Sequence, residues 1–93
     1  MKAQKVTLHR IENGKYEADY AGYHFDIEYG FYYGDEIRYQ IDITEIKSGK
    51  YEFALDAYRT LAEVRKYIES GEAIKSFEEL QKARRNGTYY DYN

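Results

Sequence analysis

Cysteine is absent from the 93 residues, which excludes disulfides, thiolate metal sites and a cysteine nucleophile in one stroke. No stretch approaches the roughly 20 consecutive apolar residues a membrane helix needs. The opening MKAQKVTLHR also lacks the apolar run of a signal peptide. From these absences a soluble protein that works in the cytoplasm, with no membrane partner, is expected. Histidine is scarce, with His9 and His24 alone. G-x-S-x-G, a glycine-rich loop ending in Lys-Ser/Thr, and H-E-x-x-H are all missing, so no catalytic residue and no cofactor are expected.

Tyrosine is what the chain has in abundance, 13 of 93 residues. A tyrosine ring buries a large area while its hydroxyl requires a partner or water, so a core walled by tyrosines with hydroxyls at its rim is expected. The length suits one small domain, placed at residues 1–87, followed by a tyrosine-rich tail at 88–93.

Along the chain, Asn13-Gly14 between strand-like runs signals a hairpin joining about Lys5–Ile11 to Lys15–Tyr20. YHFDIEY alternates, with Tyr23, Phe25, Ile27 and Tyr29 inward and His24, Asp26 and Glu28 outward. EIRYQIDIT does the same, with Ile37, Tyr39, Ile41 and Ile43 inward. EYGFYYGDE, residues 28–36, reads as a glycine-bracketed loop between these strands. YEFAL supplies a fifth strand with Tyr51, Phe53 and Leu55 on the inner face and Glu52 outward. The period then changes to 3.6. Thr60 and Glu63 have capping-box spacing at the head of one helix, which Gly71 closes, and Ser76 with Glu79 repeats the device in a second helix ending at Asn86-Gly87. The fold class is therefore α+β, an antiparallel sheet of about five strands with two short C-terminal helices packed on one face.

Charge is lopsided. Glu17 to Glu45 holds eight acids against one base, Arg38, whereas Lys47 to Asn93 is nearly balanced. The sheet face away from the helices is thus expected to be acidic. A protein partner with a basic surface fits it, because carboxylates steer such an encounter and tyrosines give rigid anchoring area. Asp26, Glu28, Asp35, Glu36 and Asp42 are the expected charges, and Phe31, Tyr32 and Tyr33 the expected anchors. Nucleic acid is the alternative partner. It would use Arg84, Arg85, Tyr89 and Tyr90, since phosphate binding needs bases and base stacking needs rings. His24-x-Asp26 sets two ligand-type side chains on one strand face, and His9 could join them from a neighbouring strand. The ordinary reading is a surface histidine among solvated carboxylates, and no metal is assigned. A homodimer through a sheet edge is compatible with the pattern.

In architectural style, short tyrosine-rich strands followed by a TLAEVRKYIESG helix in a small acidic cysteine-free chain, the sequence resembles phage and mobile-element anti-CRISPR and other anti-defence proteins. That resemblance implies a non-catalytic inhibitor that occupies a basic surface of a host defence protein in a bacterial cell. It carries no functional residue over to this chain.

Overall fold

A computed structural model describes residues 4–87. Five strands, β1 (His9–Glu12), β2 (Lys15–Tyr20), β3 (Tyr23–Tyr33), β4 (Glu36–Glu45) and β5 (Tyr51–Tyr58), are followed by helices α1 (Leu61–Glu69) and α2 (Glu72–Arg85). The strands form one antiparallel sheet in sequence order, β1-β2-β3-β4-β5. This is the expected α+β arrangement. Each strand pairs with its predecessor across a short connection.

The alternation in β3 and β4 drives the assembly. Phe25, Ile27, Ile41 and Ile43 are fully buried on one sheet face, against Val64, Ile68, Ala73 and Phe77 of the helices. Burying each large side chain contributes about 1.5–3 kcal/mol. Tyrosines wall this core as expected. Tyr23 meets Phe77 edge-on at 5.4 Å and Tyr58 meets Tyr67 at 5.1 Å. The Tyr20 hydroxyl donates to the Gln4 carbonyl at the rim, and the Tyr58 hydroxyl to Asp56.

Four local expectations are corrected. The first strand is shorter than Lys5–Ile11. The segment before His9 leaves the sheet and is tied to the end of α1, where the buried Val6 donates its N–H to Glu69 at 2.8 Å. Residues 28–36 are not a loop: β3 runs on to Tyr33, and Gly34 and Asp35 alone make the turn. The second helix starts at Glu72 rather than Ser76. Ala73 is buried against the core, and the Ser70 hydroxyl accepts from the Glu72 N–H, so the helix gains a turn before Ser76. Gly71, at φ 86°, makes the sharp link between the helices in the left-handed conformation expected of it. The Thr60–Glu63 capping box forms as anticipated.

The fourth correction concerns β5. Ile43 pairs with Glu52 and Ile41 with Asp56, so Asp42 alone lies opposite residues 53 to 55. Ala54 sits at φ 53° in this bulge. Glu52, paired with the inward Ile43 just before the bulge, points toward the helices, and Tyr51 and Phe53 are exposed. That is the reverse of the alternation read from YEFAL.

Candidate interaction surface

The sheet face away from the helices is built from cross-strand rows fixed by the register. One row runs His9, Glu17, Asp26, Asp42 across four strands. Three carboxylates therefore stand directly opposite one another, and like charges in directly opposed positions destabilise a sheet. The next row holds Asp19, His24, Thr44 and Tyr51, and another holds Lys15, Glu28, Gln40 and Ala57.

Beyond Glu28 the face becomes aromatic because of one glycine. Strict alternation would send Phe31 and Tyr33 to the same side as Tyr29. Gly30, at φ 122° in a conformation open to glycine, inserts a bulge, so that Tyr29 pairs with Tyr39 but Phe31 pairs with Arg38 and Tyr33 with Glu36. Phe31 and Tyr33 thereby join the open face, and Tyr32 goes to the other side. The three expected anchors are split accordingly. Tyr33 donates to the buried Gln40 at 3.0 Å, and the Arg38 guanidinium lies over its ring at 5.7 Å. Tyr32 is 72 % exposed near the hairpin tip, beside the exposed Asp35.

The expected carboxylates divide in the same manner. Glu36 is engaged by Arg38 at 2.9 Å and Arg59 at 3.4 Å, and the Arg38 hydrogen bond, with both guanidinium charges, holds its carboxyl below the usual range. Asp42 accepts the Ala54 N–H at 2.8 Å and the Tyr51 hydroxyl at 3.0 Å, so it supports the β5 bulge. Asp26, Glu28, Phe31 and Asp42 do converge. With Ile11, Lys15, Tyr16, Ile27 and Gln40 they line a shallow depression of about 240 Å³. Ile11, Tyr51 and Phe53 enlarge the apolar part of the surface, beyond the anchors expected from the sequence. Phe53, 64 % exposed, looked inward in the sequence because nothing local marks the pairing of its neighbour Glu52 with the inward Ile43.

The alternative site at the end of α2 has another use. Arg84 grips Glu52 through Nε and a terminal nitrogen at 2.7 and 2.9 Å, and Gln81 donates to the same carboxylate at 2.7 Å. Glu52 was expected on the open acidic face and is instead 4 % exposed beneath α2. Arg85 is exposed and borders a depression with Tyr23, Phe77 and Lys82. Tyr89 and Tyr90, with the rest of the 88–93 tail, lie outside the described residues.

His24 and Asp26 share the open face as the spacing implied, but Glu17 and Asp19 rather than His9 complete the group around the imidazole. Its Nδ1 lies 2.6 Å from Asp19, and its Nε2 lies 3.7 Å from Glu17 and 3.4 Å from Asp26. The Asp19 hydrogen bond, aided by the Asp26 charge and opposed by partial burial, raises the imidazole pKa. Glu17 and Asp19 were not among the expected site residues, although Asp19 and Glu17 follow from the hairpin register once Ala21-Gly22 is taken as the turn. Among the described residues, no helix is long and apolar enough to cross a membrane. Comparison with protein-family models, curated proteins and solved structures gave no match.

Proposed function

We propose that this protein is a non-catalytic binding module whose open sheet face docks on a basic surface of a protein partner. One observation carries the reading: the directly opposed carboxylates of Glu17 and Asp26 share the open face with exposed Ile11, Tyr51 and Phe53 and with half-buried Phe31. Opposed like charges cost stability, and a basic partner repays that cost by neutralising them. Apolar groups beside them supply the desolvated anchors that interfaces require. In the form implied by the resemblance to anti-defence proteins, the module is a phage or mobile-element inhibitor and the partner a host defence protein.

A tagged pull-down from bacterial lysate, with and without nuclease, tests this. A discrete stoichiometric protein should survive nuclease, and Asp26→Lys with Glu28→Lys should slow its association and weaken the salt dependence. Recovery of nucleic acid without stoichiometric protein would overturn the reading in favour of the Arg85 end of α2.

A further inference from the structure

We propose that the open face also holds a divalent transition-metal ion, bound by His24 Nε2 and the carboxylates of Glu17 and Asp26. Three ligand atoms, one from each residue, all lie within 4.8 Å of one another. Imidazole nitrogen with carboxylate oxygen is a donor set that suits zinc and its first-row neighbours.

Several features separate this group from an ordinary acidic patch. The ligands come from paired positions on two central strands of a rigid sheet, since Glu17 is opposite Asp26 and Asp19 opposite His24. Asp19 accepts from the far side of the imidazole, at Nδ1. That bond selects the tautomer whose Nε2 lone pair points between Glu17 and Asp26, the same orienting role that a carboxylate plays behind metal-bound histidines. The register also sets His9 beside Glu17, and both imidazoles border one depression of about 320 Å³ with Lys5, Thr7, Glu17 and Asp19. A second nitrogen donor is therefore adjacent to the ligand group. An ion here would neutralise the repulsion between the opposed carboxylates.

The site shares Glu17 and Asp26 with the proposed docking face, but metal binding requires no partner, so purified protein alone suffices to test it. Isothermal titration of the tag-free full chain with zinc chloride at neutral pH should show one saturable site per chain. Glu17→Gln and His24→Gln should abolish it. Asp19→Asn, which spares the three ligands while removing the charged acceptor behind the imidazole, should weaken it by about 10–100-fold. Nitrogen NMR of the wild-type imidazoles gives a readout that needs no variant: zinc should move His24 Nε2 strongly. Absence of saturable binding, zinc binding to His24→Gln as tight as to the wild type, or an imidazole shift confined to His9 would each overturn the proposal.

Discussion

Two carboxylates flank the β5 bulge, one on each face of the sheet, and they differ in every respect except chemistry. Glu52 is nearly buried between sheet and α2, where Arg84 and Gln81 bind it. Asp42 lies on the open face, where it accepts from the Ala54 amide and the Tyr51 hydroxyl. Both looked in the sequence like solvated acids of one acidic surface. The contrast shows that a count of acids overstates what a partner can reach. Glu52 and Asp42 are consumed in holding β5, and Glu36 is held by two arginines. Asp26 and Glu28 retain the outward aim that the alternation of β3 gives them.

The comparison can be broken from either side. The largest effect should come from the core that both faces depend on: Ile41→Ala, at a fully buried position, should cost about 2–5 kcal/mol in urea unfolding. Next is Arg84→Ala, which strands the Glu52 charge in the interlayer and should cost about 3 kcal/mol. Pairing Arg84→Met with Glu52→Leu should recover most of that loss, because no unpaired charge then remains. If the single variant is as stable as the wild type, the two carboxylates are equivalent and the contrast fails.

Asp42→Ala should cost about 1–3 kcal/mol by leaving the Ala54 amide without its acceptor. The milder Asp42→Asn can be followed by tyrosine absorbance in alkali. Partial desolvation of its hydroxyl end, then the hydrogen bond to Asp42 and the charges of Asp42 and Asp26, push the phenol of the half-exposed Tyr51 up to about 12 from 10.0. A folded-state pKa above the unfolded one means that this stabilisation is complete below pH about 10 and is lost as pH rises toward 12. Asp42→Asn should bring the Tyr51 titration back toward its ordinary value. The smallest effect on stability should be that of Phe53→Ala, within about 0.5 kcal/mol, because its ring faces solvent. The same change should weaken partner capture, and that separation between folding and binding would sharpen the difference between the two faces.

Most strands and both helices were legible because their signals are local. Asn13-Gly14, the alternation of Tyr23 to Tyr29 and Glu36 to Thr44, and the Thr60–Glu63 box each act over a few residues. Asp26 and Glu28 were placed on the open face for the same reason. The surface was less legible wherever a bulge intervenes, because a single extra residue reverses the side of everything after it. Gly30 put Phe31 and Tyr33 on the open face and removed Tyr32 from it, while on β5 the pairing of Glu52 with inward Ile43, which no local signal announces, put Glu52 inside and Phe53 outside.

The sequence by itself determined the α+β class, the order of elements and the excess of acid between Glu17 and Glu45, since period, caps and composition are properties of neighbouring residues. Only the tertiary structure decided that strand order follows chain order, that Arg84 belongs to Glu52, and that His24 meets Glu17 and Asp26. Those meetings depend on register between strands and on packing of α2 over β5, and both are set by the burial of distant apolar side chains in a common core.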